Sequence, residues 1–385
     1  MSDRVYLDWN ATTPLRDEAR RAMLGALDLP GNASSVHAEG REARKWIEAA
    51  RAAVAGAVGA LSRNVVFTSG GTEANALALA PGLKRDGGPA VERLVVSAVE
   101  HASVLSGGRF PQTAIASLKI SRDGVVDLDD LRELLRGGSP ALVSIMLANN
   151  ETGAIQPIAE AAGIVHEAGG LLHVDAVQAL GKIPFDMNRL GADLLSVSAH
   201  KIGGPKGVGA LVLSEGLSGP EPLLRGGGQE LSRRAGTENV AGIAGFGAAV
   251  GAAMAGLSAE RARIQALRDR LEKGLQQTPG MIVFSDTVER LHNTTLFTVP
   301  GLRAETAVIG FDLAGIAVSS GSACSSGKVQ PSHVLEAMGF DADIAQGAVR
   351  LSMGWSTQDA DIESCLEAWR RLSGRLLKDQ RRNTA

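Results

Sequence analysis

The sequence contains few cysteines and few aromatic residues. Cys324 and Cys365 are its two cysteines among 385 residues, too few for a disulfide framework, which favours a reducing compartment. No Cys/His spacing typical of a metal site occurs. Residues 1–8 lack the basic start and apolar run of a signal peptide. We therefore expect a cytoplasmic protein without a bound metal.

An excess of basic residues is also absent. The 39 Lys and Arg against 42 Asp and Glu leave a formal net charge of −3, whereas nucleic-acid-binding proteins usually concentrate positive charge. Nucleic acid is therefore not an expected partner. Glycine, by contrast, is abundant, with 47 residues. This abundance predicts many tight turns and close backbone approaches, which suit phosphate-binding loops.

One uncharged stretch, residues 240–259, is long enough to raise the question of a membrane span. Its larger apolar residues recur every three or four positions and form a single stripe: Ile243, Phe246, Val250, Met254 and Leu257. Such a stripe predicts a packed interior helix of a soluble protein, with a membrane span as the minor alternative. Residues 261–275, which carry many charges, predict a solvent-facing helix.

Short β-rich runs alternate with helical patterns between residues 65 and 213. The runs are residues 65–68, 94–97, 141–147, 171–175, 194–198 and 209–213. This alternation predicts an α/β fold with a mostly parallel sheet and helices on both faces. We expect a large domain over residues 15–257 and a smaller α+β domain formed by residues 1–14 and 258–385.

Lys201 directly follows the run at residues 194–198 and lies in a glycine-rich segment. Ligands of such folds gather beyond the carboxyl ends of the strands. A lysine amine forms Schiff bases with carbonyl compounds. Taken alone, this segment fits a surface-loop lysine equally well.

Three further positions follow predicted strands. Asp175 offers a buried anion of the kind that keeps a pyridoxal ring nitrogen protonated, although it could equally cap a helix. Gly71 and Thr72 open a helix, where backbone N–H groups can bind a phosphate. His101 could cover a flat ring or move protons, or could be structural. Together with Lys201, these residues predict a site for pyridoxal 5'-phosphate.

A series of motifs resembles one known family. The motifs occur in order between Tyr6 and about Gly354, at residues 6–14, 31–37, 68–75, 100–101, 149–153, 173–178, 198–201, 233–239, 319–324 and 350–354. In these segments the chain resembles the cysteine desulfurases of the nitrogen-fixation and iron–sulfur assembly type, which belong to the class V aminotransferases. Trp9 departs from the motif, which more often has a small or polar residue there.

The resemblance implies a fold-type I pyridoxal-phosphate-dependent transferase, with a seven-stranded, mostly parallel sheet in the large domain. It also implies a homodimer in which each site is completed by the partner subunit. Lys201 would attach the cofactor, His101 would stack on its ring, and Asp175 would pair with the ring nitrogen. Gln178 and Asn150 would lie near the phenolic oxygen or the substrate.

The remaining roles are also implied by the resemblance. The phosphate would be bound by Gly71, Thr72, Ser198 and His200 of one subunit and by Thr237 of the other. Arg350 would bind the substrate carboxylate, which suits its planar pair of donors. Cys324, in a Ser/Gly-rich segment, would accept sulfur.

The reaction implied by the resemblance converts L-cysteine to L-alanine and leaves a persulfide on Cys324. The persulfide would be delivered to a sulfur-acceptor protein whose identity and pathway the sequence does not give. A selenocysteine lyase or another class V pyridoxal enzyme is the alternative, and a non-catalytic binding protein of the same fold is a more distant one. The second cysteine, Cys365, has the helical spacing of a core residue with Ile362, Leu366 and Trp369.

Overall fold

The computed structural model describes residues 4–321 and 331–383, and Cys324 lies outside these ranges. Its strands in chain order are β1 (Val5–Tyr6), β2 (Val65–Thr68), β3 (Arg93–Ser97), β4 (Ile115–Leu118), β5 (Ala141–Met146), β6 (Leu171–Asp175), β7 (Leu194–Ser198), β8 (Gly209–Leu213), β9 (Ile282–Val283), β10 (Thr294–Thr298), β11 (Ile316–Ala317), β12 (Ser319–Ser320) and β13 (Val349–Ser352).

Helices alternate with many of these strands. In chain order they are α1 (Asp17–Leu27), α2 (Ala38–Val58), α3 (Gly71–Ala78), α4 (Ala102–Leu105), α5 (Leu128–Leu135), α6 (Ile158–Glu167), α7 (Met187–Leu190), α8 (Val240–Leu275), α9 (Ala304–Leu313), α10 (His333–Ala337), α11 (Ala342–Gln346) and α12 (Asp359–Asn383). Short 3₁₀ turns cover Ser62–Asn64, Gln112–Ala114, Ala199–Lys201 and Gln229–Ser232.

The central sheet has seven strands in the order β2-β8-β7-β6-β5-β3-β4. Its pairs are parallel except those of β8, which is antiparallel to both β2 and β7. The predicted mostly parallel sheet is confirmed, and the six predicted runs match strands to within a residue at each end. Strand β4 was not predicted, because it is an edge strand in which only Leu118 is fully buried and no apolar run marks it.

Both faces of this sheet are covered. Alternate residues of β3 belong to opposite hydrophobic clusters, with Val95 in one and Leu94 and Val96 in the other. This alternation follows from the two-residue period of a strand. Burial on both faces explains why the central strands are almost entirely apolar rather than alternating.

A second sheet is antiparallel, with the order β12-β13-β10-β9, and its core is aromatic. Trp369 of α12 packs edge-to-face on Phe297 of β10, with ring centroids 5.1 Å apart, and stacks on Phe311 of α9. Cys365 is fully buried in the same cluster, so its predicted packing role is confirmed. Because burial raises the pKa of its thiol to about 12, Cys365 remains a thiol at neutral pH.

Helix α8 joins the two cores. It runs unbroken for 36 residues through Ser258, so the two helices expected there are one. Ile243 and Val250 pack in the core of the large sheet, and Ile264 and Leu267 pack in the second core. By length and composition α8 could cross a membrane, but half of its most apolar window is buried. The predicted apolar stripe is therefore a core-packing face.

Candidate active site

A cavity of about 280 Å³ lies at the carboxyl ends of the central strands, as expected for this topology. Most of the predicted site residues line it: Gly71, Thr72, His101, Asn150, Asp175, Gln178, Ser198, His200, Lys201 and Arg350. Two predicted residues are not part of this group. Thr237 lines a separate cavity beside Thr68 and Arg234, and Cys324 lies outside the described residues.

Lys201 ends the 3₁₀ turn that follows β7. Its Nζ donates to the carbonyl oxygens of Asn10 (2.5 Å) and Ala11 (2.8 Å). The turn is tight, since a Cβ atom at Gly204 would lie 2.8 Å from Ala199 Cβ. The N-terminal segment therefore holds the lysine amine at the cavity wall.

Asp175 is the last residue of β6 and is 6% exposed. Its Oδ1 accepts from the Val177 N–H (3.0 Å), and its Oδ2 accepts from Asn75 Nδ2 (2.8 Å). Two residues earlier on β6, burial lowers the pKa of His173 to about 4. His173 is therefore neutral. Asp175 is the side chain at this end of the cavity that would pair with a protonated ring nitrogen.

His101 caps α4, where its Nδ1 accepts from the Ser103 N–H at 3.2 Å. This cap fixes the ring at the cavity edge. Burial lowers the pKa of His101 below its ordinary value, and the positive charge of Lys201 acts in the same direction, although Asp175 opposes both. The imidazole is therefore mostly uncharged near neutral pH and available to accept a proton.

The amino end of α3 forms a cradle for an anion. A Cβ atom at Gly71 would lie 2.9 Å from Val177 Cγ2, so glycine permits the close approach there. The Oγ of Ser198 is buried and has no hydrogen-bond partner among the described residues. Hydroxyls and free helix N–H groups are the usual ligands of a phosphate. Because burial lowers the pKa of His200 to about 4, this residue would contribute a hydrogen bond rather than a charge.

Arg350 projects from β13 and is 3% exposed. Its Nη1 donates to the Asn150 carbonyl oxygen (3.1 Å) and its Nη2 to Asp8 Oδ1 (2.9 Å). Its Nε is buried and lacks a partner within the described ranges. A guanidinium with a donor still unused, at the wall of a cavity, is suited to binding a carboxylate.

These residues fit pyridoxal 5'-phosphate. An amine, a carboxylate, an uncharged imidazole and a phosphate cradle line one cavity, and the orphaned Ser198 hydroxyl lies at the cradle. In the described part of the chain, no cluster of three or more His, Cys, Asp or Glu residues could hold a metal ion.

The structure adds residues that the sequence reading did not assign to the site. Asn75 binds Asp175, and its spacing of three from Thr72 on one helix could have indicated a shared face. Asn10 and Asp8 reach the site through tertiary contacts that no local pattern predicts. Trp9 does not line the larger cavity but a smaller one behind Lys201, where it packs edge-to-face on Trp355.

Comparison with known proteins identifies the family of the chain. The family model "Aminotransferase class-V" matches residues 5–365. A cysteine desulfurase of Cereibacter sphaeroides is 44% identical and covers 95% of this chain and 94% of the relative. An IscS-like cysteine desulfurase of Mycobacterium tuberculosis is 42% identical over 94% of both chains.

Solved structures are similar along nearly the whole chain. A NifS-like protein from Rickettsia africae superposes with a TM-score of 0.87 at 37% identity, covering 97% of this chain and 100% of that one. An apo cysteine desulfurase from Thermococcus onnurineus gives a TM-score of 0.82 at 25% identity, covering 96% and 94%. The chain belongs to the class V aminotransferase family and, within it, to the cysteine desulfurases.

Proposed function

We propose that this protein is a pyridoxal-phosphate-dependent cysteine desulfurase that converts L-cysteine to L-alanine and transfers the sulfur to Cys324. The observation that carries the proposal is the convergence of Lys201, Asp175, His101 and Arg350 on one cavity. The sequence identity to cysteine desulfurases over nearly the whole chain supports the same reaction.

Each side chain has a defined task in this proposal. Lys201 would hold the cofactor through its amine, Asp175 would keep the ring nitrogen protonated, and His101 would pack against the ring. Gly71, Thr72, Ser198 and His200 bind the phosphate. The bound cofactor supplies an electron sink for the α-carbon of the substrate.

The substrate is oriented by its carboxylate and loses its sulfur to the protein. Arg350 binds the carboxylate, with Asn150 alongside, and Lys201 moves protons at the α-carbon. His101, kept uncharged by burial, is the candidate base for a thiol proton. The carbon–sulfur bond breaks as the sulfur bonds to the Cys324 thiolate, so L-cysteine and a thiol become L-alanine and a persulfide.

Two cysteine variants test the acceptor role. Cys324→Ala should keep the yellow cofactor but form no alanine from L-cysteine, because the acceptor thiol is gone. The matched control Cys365→Ala should retain turnover, since this thiol is buried away from the cavity. Full turnover by Cys324→Ala would overturn the acceptor role. A cofactor-saturated parent enzyme that releases no alanine would overturn the activity itself.

We also infer a homodimer in the cytoplasm, with Thr237 of each subunit completing the phosphate site of the other. The position of Thr237, which lines a separate cavity of its own subunit, supports this assignment. The persulfide would pass to an acceptor protein that the chain does not identify. A selenocysteine lyase is the alternative; it would release alanine from selenocysteine but form no persulfide from L-cysteine.

A further inference from the structure

Lys182 is a buried lysine next to the cavity, and the reaction described above does not use it. Lys182 is 8% exposed. Its Nζ donates to Gln178 Oε1 at 2.6 Å and to Asn10 Oδ1 at 3.1 Å. A buried amine is costly unless it is hydrogen-bonded, so these contacts require an explanation.

The first contact determines which way the Gln178 amide faces. Because Lys182 Nζ donates a hydrogen bond to Gln178 Oε1, the amide oxygen of Gln178 is directed toward Lys182. Gln178 Nε2 donates one of its two hydrogens to the Asn10 carbonyl oxygen, with 3.0 Å between the nitrogen and the oxygen. Gln178 lines the cavity, and its second Nε2 hydrogen remains for a ligand there.

The second contact extends the same network to Lys201. Lys182 binds the side-chain oxygen of Asn10, whose main-chain oxygen accepts from both Lys201 Nζ and Gln178 Nε2. The side-chain nitrogen Nδ2 of Asn10 in turn donates to the Asn150 carbonyl oxygen and to Thr294 Oγ1. Lys182 therefore contacts two side chains that each touch the site.

We propose that Lys182 is a positioning residue that orients the Gln178 amide so that an N–H group, and not the amide oxygen, faces the phenolic oxygen of the bound cofactor. The inference rests on the proposed function and on the family resemblance, which implies that Gln178 lies near that oxygen. An anionic oxygen accepts hydrogen bonds and is repelled by a carbonyl oxygen, so an amide held only by its Nε2 contact with Asn10 would present its N–H group less well. Burial and the nearby charges of Lys201 and Arg350 lower the pKa of Lys182 well below its ordinary value; the amine donates in either protonation state.

The test is a pH titration of the cofactor absorbance in the holoenzyme. Loss of a hydrogen bond to the phenolic oxygen disfavours the deprotonated chromophore, in which that oxygen is most negative. Lys182→Met should therefore raise the pH midpoint of the colour change by about one unit, a tenfold change in proton affinity that corresponds to about 1.4 kcal/mol. The exposed lysine variant Lys45→Met, on helix α2, should leave the midpoint unchanged.

A double-mutant cycle shows whether Lys182 acts through Gln178. Gln178→Leu should raise the midpoint in the same direction, and Lys182→Met/Gln178→Leu should raise it no further than Gln178→Leu alone. An unchanged midpoint in Lys182→Met, or additive shifts in the double variant, would overturn the proposal. The titration needs no turnover, so its failure is distinct from failure of the desulfurase assignment.

A second substitution covers the case in which Lys182→Met does not fold, as judged by far-UV circular dichroism. Lys182→Gln keeps a polar side chain, but its amide nitrogen is one bond closer to the main chain than the Nζ that now donates to Gln178 Oε1 at 2.6 Å, so this short contact is lost. The same upward shift is expected, and a parental midpoint would contradict the role of Lys182.

Discussion

Burial sets the protonation state of several side chains around the cavity. Glu151, in the turn that also carries Asn150, is 2% exposed, and its Oε2 accepts from Ser332 Oγ at 2.5 Å. Desolvation raises the pKa of Glu151 to about 7 although the Ser332 hydrogen bond and the charge of Arg350 oppose the rise. The carboxyl group thus changes charge within the physiological pH range.

This shift predicts a pH-dependent stability that disappears in Glu151→Gln. The pKa of about 7 in the folded state exceeds the ordinary 4.5, so the folded chain binds the proton more tightly and loses stability as the pH rises through 7. The difference corresponds to at most about 3 kcal/mol. Between pH 5.5 and 8, the melting temperature of the parent holoenzyme should therefore fall more than that of Glu151→Gln.

Glu289→Gln, at an exposed position, is the control and should follow the parent. Identical pH profiles for the parent and Glu151→Gln would show that this carboxyl group does not titrate in the window.

The two cysteines should differ in reactivity. Cys365 is fully buried and its thiol pKa is raised to about 12, so it offers neither access nor thiolate to an alkylating reagent. Iodoacetamide treatment of the native protein, followed by peptide mapping, should modify Cys324 and leave Cys365 intact until the chain is unfolded. Modification of Cys365 in the native protein would contradict its place in the core.

At the scale of elements, α8 depends on a close approach to α2. A Cβ atom at Gly247 would lie 2.5 Å from Ala50 Cα, which is backbone and cannot move aside alone. Gly247→Ala should therefore destabilise the protein by about 1–3 kcal/mol through overpacking. Gly251, exposed on the same helix with nothing within 4 Å of its Cβ position, supplies the control.

Gly251→Ala should be neutral or stabilising by up to about 1 kcal/mol, because alanine is the better helix former. Denaturant unfolding of both variants gives the comparison. Equal effects of the two substitutions would mean that α8 does not pack on α2 as described.

Some of the strands, helices and site residues could be predicted from the sequence, and others could not. Strands β2, β6, β7 and β8 were predictable because strands buried on both faces of a sheet are continuous apolar runs, and Lys201, Asp175 and His101 because they lie at or just after the ends of such strands. The unbroken helix α8 could not be predicted, because its first half packs in the core of the large sheet and its second half packs in the second core. Nor could Asn10 be predicted as a site residue, because contacts between distant segments bring it to the cavity. Lys182 binds Gln178 four residues away, but its link to Asn10 is a contact between distant segments that the sequence does not reveal.

At the scale of the whole molecule, the assignment of Thr237 in trans predicts complementation between two defective subunits. Lys201→Ala subunits lack the attachment amine, and Thr237→Val subunits should retain the cofactor weakly because a phosphate ligand is missing. In a hybrid dimer, one of the two sites would combine a native Lys201 with a native Thr237. Unfolding and refolding the mixture should restore tight cofactor retention in that site.

The measurement is bound cofactor after dialysis, compared between purified hybrids and each homodimer. Retention by the hybrid no better than that of Thr237→Val homodimers would place Thr237 away from the partner's site.

The central claim concerns the covalent attachment of the cofactor to Lys201. The most direct measurement is borohydride reduction of the reconstituted protein, followed by proteolysis and mass spectrometry of the labelled peptide. A single phosphopyridoxyl group is expected on Lys201, and none in Lys201→Ala. A label on Lys182 or another lysine, or a colourless protein that takes up no label, would contradict it.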